Sequence, residues 1–313
     1  MSDNSIRIKT EKNALEIIDY SFPDIRIALQ DRILSNYAGM RAVCHWHSDF
    51  EFIYIFDGEM NYDINGEIVL LKKGDLLFVN SERLHYGFSN DWKDCKFFVL
   101  IFNTNLLKSN LNIFNKQVKP IIESSLNYKI FNEKNIIRRI ENPGKGGNVS
   151  FPKTIKTLIN DLKFFSEHKE QINKYDILAS CFSVWSLVSD NITISDISEI
   201  SYGQDDLDLQ KHMVNFIYQN FQQQITLDEI AASVNVSRSK CCRLFQKYLN
   251  ESPILFLKDY RLRKSCDLLL QSNYSITEIA TMVGYNHLSY YSKIFLEKYG
   301  MTPHDYRKEK TDN

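Results

Sequence analysis

Two sets of side chains in this chain have types and spacings suited to chemistry. His45, His47 and Glu51 share one parity, so a single extended strand would present all three on one face. Imidazoles and a carboxylate accept a transition cation or anchor a small polar molecule, and they serve equally well as polar members of a domain core. The second set lies far along the chain. Arg238, Ser239, Lys240 and Arg243, and then His287, Ser289, Tyr290 and Lys293, fall on the outward turns of two short helical patterns. Arginine and lysine in such places donate to guanine edges or clamp phosphates.

The second set is positioned by a repeat. One copy runs from Ile225 to Tyr248 and the other from Ser275 to Gly300. Glu229-Ile230-Ala231 aligns with Glu278-Ile279-Ala280, Val234 with Val283 and Asn235 with Gly284. After a one-residue slip, Arg243 aligns with Lys293, Phe245 with Phe295, Asn250 with Gly300 and Pro253 with Pro303. Each copy opens with a hydroxyl N-cap and a glutamate three residues on, Thr226 with Glu229 and Ser275 with Glu278, the pairing that satisfies free amides at a helix start. A short amphipathic helix follows, then a turn at Asn235 or Gly284, where left-handed backbone is cheap. Ser237 and Asn286 are the expected N-caps of the second helices, whose inward faces carry Cys241, Leu244 and Phe245, or Tyr291, Ile294 and Phe295. This is the helix-turn-helix pattern, in which the second helix enters the major groove and its N-terminal residues meet base edges. Between Arg238 and Lys264 eight basic residues face two acidic ones, a local +6 in a chain whose net charge is −1. A solvated basic face would look the same; its coincidence with a doubled helix-turn-helix favours contact with DNA.

A length of 313 residues suggests about two domains with separate cores. Met1-Ser2-Asp3-Asn4 has no feature of a secretory signal, and the strongest apolar run, Phe97 to Phe102, is strand-length and too short to span a bilayer. Cys44, Cys95, Cys181, Cys241, Cys242 and Cys266 form no CxxC pair, which predicts buried thiols in a reduced cytoplasmic protein without membrane contact. From Ile6 to Phe102 short runs of Val, Ile, Phe and Tyr read as strands of a sandwich or small barrel, with hairpin turns at Asp57-Gly58 and Asn65-Gly66 and another turn at Gly74-Asp75. The period becomes helical from Leu106 to Val188, broken by a loop at Asn142 to Gly147. Ser189 to Asp206 reads as a polar linker, and everything from Leu207 onward as helix.

The stretch from Ile225 to Arg307 resembles the AraC/XylS family of bacterial transcription regulators. The likeness is densest at Ser275 to Ala280, Val283-Gly284-Tyr285, Ser289-Tyr290-Tyr291, Phe295, Gly300 to Pro303 and Tyr306-Arg307. It implies two helix-turn-helix subdomains joined by a linker helix at about Pro253 to Leu270, with reading helices in successive major grooves ~10 bp apart. Following the family pattern, the base-facing positions are Ser239, Cys242 and Arg243, then Leu288, Ser289, Ser292 and Lys293. Cys241 and Asn250 stand where the family usually has Leu and Gly.

Nearer the start, Gly39-x5-His45-x-His47-x3-Glu51-x6-Gly58 resembles the first cupin motif, and Gly74-x10-His85 resembles a second in which Asn80, Glu82 and Ser89 replace the expected Pro, Gly and Asn. The resemblance implies that His45, His47, Glu51 and His85 converge inside a barrel, where Zn, Fe or Mn would be accepted. The whole is then an α+β chain: a cupin-like sensing barrel over 1–110, a helical cover and dimer contact over 111–190, a linker over 191–206 and an all-α DNA-binding domain over 207–310.

These readings converge on an effector-responsive regulator, homodimeric, cytoplasmic and not an enzyme, that binds double-stranded operator DNA. Its effector pocket would use Trp46, Phe52, Tyr54, Tyr62 and Tyr86 with His45, His47, Glu51 and His85 as polar anchors. The family likeness makes a carbohydrate the expected effector. No cofactor is required, with a transition metal in the barrel as the alternative. A cupin-type metalloenzyme with a DNA-binding tail, and a regulator whose barrel is purely structural, are the competing functions.

Overall fold

The computed structural model describes residues 8, 10, 14–132, 154–197 and 204–311. The loop expected at Asn142 to Gly147 and the part of the linker at 198–203 lie outside them.

Seven antiparallel strands build the N-terminal domain among the described residues: β1 (Ile27–Ile33), β2 (Phe50–Ile64), β3 (Glu67–Lys72), β4 (Leu76–Val79), β5 (His85–Phe88), β6 (Cys95–Phe102) and β7 (Tyr128–Phe131). The order β1-β6-β2-β4-β7 forms one layer, and β2 is long enough to serve a second. Its first half pairs with β4 and β6; its second half pairs with β3 and β5. The change of layer is made at a register shift between Ile55 and Asp57. Gly58 follows at φ +79°, and a Cβ there would stand 2.2 Å from the Asp94 carbonyl oxygen, so the site admits only glycine. Asp57-Gly58 is therefore a bulge inside β2 and not the hairpin turn that its sequence suggests. A bulge and a tight turn ask for the same positive φ, which is why the dipeptide misleads. Asn65-Gly66 does make the β2–β3 turn, with both residues at positive φ.

The bulge has a consequence for every side chain after it. Ile53 and Ile55 face the inner core, and so do Met60, Tyr62 and Ile64, although their parity is opposite. Phe50, Phe52 and Tyr54 face a second, outer core. Both faces of β4 and β6 are likewise buried, Val99 and Ile101 inward against Leu100 and Phe102 outward, which explains the unbroken apolar run at 97–102. Strand β7, which pairs with β4, lies in a stretch whose sequence reads as helix.

Two helices cover the outer face, α1 (Ile155–Glu167) and α2 (Lys174–Ser189). Trp185 of α2 stacks on Phe50 with ring centroids 4.7 Å apart, and Leu158, Ile159, Leu162, Ile177 and Val184 complete the layer. Four residues of the expected linker, Ile194–Ile197, form one helical turn.

The C-terminal domain is helical: α3 (Gln204–Asn220), α4 (Leu227–Ala232), α5 (Arg238–Leu249), α6 (Pro253–Gln271), α7 (Ile276–Met282), α8 (Leu288–Tyr299) and α9 (Pro303–Thr311). Both capping boxes form, at Thr226 with Glu229 and Ser275 with Glu278. The turns take Asn235 and Gly284 at positive φ. Ser237 caps α5, but α8 starts after His287, whose side chain makes no cap bond, and not after Asn286. The Asn286 side chain instead accepts from Gln224 at 3.4 Å. No helix among the described residues is long and apolar enough to cross a membrane.

Candidate functional site

The inner face of the sheet domain lines a cavity of about 130 Å³ that opens past Ile17 and Asp19. His45 precedes β2, paired with His85 of β5 in a single antiparallel bridge, so the two imidazoles are brought together by backbone hydrogen bonds. His47 lies two residues on, and Glu51 is the second residue of β2. One ligand atom from each of His45, His47, Glu51 and His85 lies within 4.8 Å of the others, and all four residues are buried.

The hydrogen bonds around the rings fix their orientation. Nδ1 of His45 faces the Val43 carbonyl at 2.8 Å, that of His47 the Asp49 carbonyl at 3.1 Å, and that of His85 the Arg83 carbonyl at 2.7 Å. A carbonyl only accepts, so each Nδ1 is the protonated nitrogen and each Nε2 is turned toward the cluster. Glu51 Oε2 lies 3.0 Å from His47 Nε2 and 2.7 Å from His85 Nε2, the latter without the alignment of a hydrogen bond. A neutral ring whose Nδ1 donates outward opposes the carboxylate with a lone pair. Added protons, or one cation accepted by all four groups, relieve that repulsion. Burial alone would depress the His47 imidazole, but its bond to Glu51 and the carboxylates of Glu51 and Glu16 raise it to about 9. Burial and the neighbouring His85 hold His45 well below its usual value. Burial would raise the Glu51 carboxyl, yet the His85 and His47 rings hold it well below the ordinary range.

Of the expected pocket aromatics, Tyr62 lines the cavity and points its hydroxyl toward Glu51 at 3.5 Å. Tyr54 and Phe52 do not: they precede the bulge and have the opposite parity to Glu51, which sends them into the outer core. Trp46 lies outside the lining, with Lys211 Nζ 3.8 Å above its ring. Tyr86 hydrogen-bonds Arg41 and Asp63, away from the cavity. The sequence reading missed Glu16, whose Oε2 stands 3.5 Å from His45 Nε2 and has no hydrogen-bond partner, and whose carboxyl is raised by burial. It also missed Gln30 and Arg32 of β1, which line the same cavity. They are in phase with Ala28 of the inner core, but Asp31 between them makes three consecutive polar residues and hides the alternation.

In the helical domain Arg238, Ser239 and Arg243 are exposed on α5, with Lys240 and Cys242 half-buried. His287, Leu288, Ser289, Tyr290 and Lys293 are exposed at and along α8, and Ser292 is half-buried. Cys241, Leu244 and Phe245, like Tyr291 and Phe295, are buried beneath them. Arg238 hydrogen-bonds Asp228 through two nitrogens, and Lys240 Nζ lies 3.0 Å from Asp206 of α3. Two residues counted in the basic stretch are not on the surface. Arg261 is buried and donates to the carbonyls of Phe221 at 2.7 Å and Gln223 at 2.6 Å, while Arg263 is buried beside Tyr260. The local charge offered to a partner is smaller by these two.

A family model described as an AraC-like ligand binding domain matches residues 30–127, and one described as a helix-turn-helix domain matches residues 230–309. An uncharacterized HTH-type transcriptional regulator of Bacillus subtilis, YdeC, is 26% identical over 302 residues, which is 95% of this chain and 97% of that protein. A second uncharacterized HTH-type regulator, YdiP of Escherichia coli, is 24% identical across 85% of this chain and 80% of its own length. The lactose operon transcription activator of Staphylococcus xylosus is 30% identical over 153 residues, 49% of this chain and 54% of the activator.

Proposed function

The chain belongs to the AraC family of transcription regulators, with an N-terminal ligand-binding domain and a C-terminal DNA-binding domain, and we propose that occupancy of the cavity beside His45 and Glu51 sets how α5 and α8 engage operator DNA. The observation that carries this reading is a cavity with oriented polar groups on the inner face of a domain whose core continues into the first reading unit. Ligand binding then favours whichever arrangement of sheet and reader binds it better, and DNA affinity follows. The reading helices enter successive major grooves ~10 bp apart, and the cytoplasmic protein acts as a homodimer through the helical face of α1 and α2.

The effector is a small hydroxylated molecule of the carbohydrate class, a reading supported by the polar lining and by the similarity to a lactose operon activator. A divalent transition cation fits the donor set, because three imidazoles locked at Nδ1 turn Nε2 toward a buried carboxylate. His45, His47, His85 and Glu51 would hold it, and it would supply a Lewis-acidic anchor for an effector oxygen. Metal analysis of protein purified without a histidine tag tests the cation: near-stoichiometric zinc, iron or manganese supports it, and sub-stoichiometric content of every transition metal removes it. Thermal-shift screening of sugars, followed by gel shifts on the adjacent promoter, tests the sensing role. A stabilising sugar that changes the DNA affinity supports it; stabilisation by no compound, with DNA binding intact, would leave the sheet domain a structural module.

A further inference from the structure

We propose that the two reading helices divide the operator between two recognition chemistries: α5 reads its window with charged donors, and α8 reads its own through apolar contact of Leu288 and Tyr290 with thymine C5 methyl groups. The inference rests on the reading that both helices enter major grooves and names what the second one recognises there.

The two helices are equal in length and fifty positions apart, so each residue of one has a counterpart in the other. Ser239 corresponds to Ser289 and Arg243 to Lys293. Arg238 corresponds to Leu288, and Lys240 to Tyr290. At the two first-turn positions where α5 carries cations, α8 carries large apolar groups.

Those groups are not core. The second unit is built on Ile279, Ala280, Val283, Tyr285, Tyr291, Phe295 and Tyr299, and neither Leu288 nor Tyr290 belongs to that cluster. Leu288 is 40% exposed and Tyr290 44% exposed. Ser289 and Ser292 beside them are short, so nothing on this helix shields the pair. The first charged residue of α8 is Lys293, which is exposed and 3.9 Å from Glu297 one turn further along. Lys258 Nζ lies 5.9 Å from the Tyr290 ring, which places a cation beside the apolar pair, where a phosphate backbone would run.

The occupant is chosen by this setting. The first turn of a reading helix is the part that meets base edges, and in the major groove the thymine methyl is the apolar feature a leucine or an aromatic ring can cover. The window under α8 is accordingly rich in A·T pairs with thymines at fixed places. The window under α5 favours guanine, read by Arg238 or Arg243 once the first is released from Asp228.

The test uses full-length protein and a randomised duplex pool. Selection followed by footprinting identifies the bound sequence and its protected windows. Each thymine is then replaced singly by deoxyuridine, which removes only the C5 methyl. Within the α8 window one or two replacements should each weaken binding about fourfold, the effect of exposing one methyl-sized group. Replacements in the α5 window should change nothing. Leu288→Ala should bind the selected DNA more weakly and lose the deoxyuridine response at one position, while Leu288→Met should keep it. Because Leu288 lies outside the core, both variants should melt with the parent protein. A single protected window would overturn the twin-reader premise. Two windows with no deoxyuridine response in the second would overturn this inference alone. So would a Leu288→Ala variant that binds DNA normally but fails in transcription, since the exposed pair would then belong to a protein contact.

Discussion

The two reading units repeat each other's sequence but not each other's surroundings. The first shares its core with the sheet domain: Ile230, Leu244 and Phe245 belong to the same continuous cluster as Met213 and Ile217 of α3 and Val99 and Ile101 of β6. The second has a core of its own, closed by Tyr291, Phe295 and Tyr306. The sheet domain meets the second unit at few points, such as Gly39, whose missing side chain lets Tyr299 approach to 2.9 Å of where a Cβ would be. A repeated sequence therefore fixes the local fold of each unit while the partner it packs against decides what it can sense. An effector in the sheet cavity is mechanically closer to α5 than to α8.

The largest test of this contrast removes one aromatic ring from each core. Phe245→Ala and Phe295→Ala each delete a fully buried ring and should cost about 3–5 kcal/mol. The outcomes should differ in kind. Phe245→Ala should lower the melting of the sheet domain together with the first unit. Phe295→Ala should loosen the second unit and leave the sheet-domain transition in place. Calorimetry resolves this, and matching thermograms for the two variants would end the claim of unequal coupling.

A smaller effect is expected at the seam. Gly66 turns β2 into β3 at φ +86°, and a Cβ there would stand 2.3 Å from the Lys247 carbonyl oxygen at the end of α5. Its own carbonyl accepts from the Asn250 side chain. Gly66→Ala should cost roughly 1–3 kcal/mol through strain and clash and should prise the turn from α5. Limited proteolysis and thermal melting would check it; a variant as stable as the parent would mean that the seam is loose. In the destabilised variant, operator binding should respond less to effector than in the parent protein.

Single substitutions on the reading faces should spare stability. Arg243→Ala and Lys293→Ala should each weaken operator binding by about 1–3 kcal/mol if the side chain is bidentate to a base, or weaken all sequences evenly if it holds phosphate. Melting should stay within about 0.5 kcal/mol, because both residues are exposed. Unchanged binding by the double variant would remove both from the interface.

How much of this was legible depended on whether the signal was local. The capping boxes, the turns at Asn235 and Gly284, and the buried faces of α5 and α8 follow from neighbours within one or two helical turns, and all could be read directly. His45, His47 and Glu51 do converge, but not on the single strand expected: only Glu51 lies on β2, a bend at Ser48 and Asp49 separates it from the histidines, and the bridge of His45 to His85 brings those two rings together. Tyr54 was assigned to the cavity although its parity is opposite to that of Glu51, and it belongs to the other core; beyond Ile55 the bulge inverts parity and brings Tyr62 to the cavity side. Strand β7 was illegible because its partner β4 is some fifty residues away. Arg261 and Arg263 read as surface charge because composition says nothing of burial; only the carbonyls of Phe221 and Gln223, brought in from the end of α3, make a buried guanidinium tolerable. Glu16 lay in a stretch with no periodicity at all.

The seam should also respond to pH. Glu251 follows α5 and lies 4.0 Å from Arg41, with Asp259, Arg263 and Lys298 also facing it. Burial raises its carboxyl to about 7, against the lowering influence of Arg41. Asp63, near the same arginine, is raised by burial to about 6. Both groups hold protons in the folded protein at pH values where the unfolded chain has released them. The contribution of these two groups should therefore fall as pH rises from about 4.5 to 7, by at most roughly 3 kcal/mol for Glu251. Glu251→Gln should reduce this fall most in a series of melts between pH 5 and 8, and Asp63→Asn should reduce it further. A stability that instead rises with pH across that interval would mean that Arg41 holds Glu251 ionised, and the sheet domain would then be tied to the first reading unit by a buried ion pair and not by a protonated carboxyl.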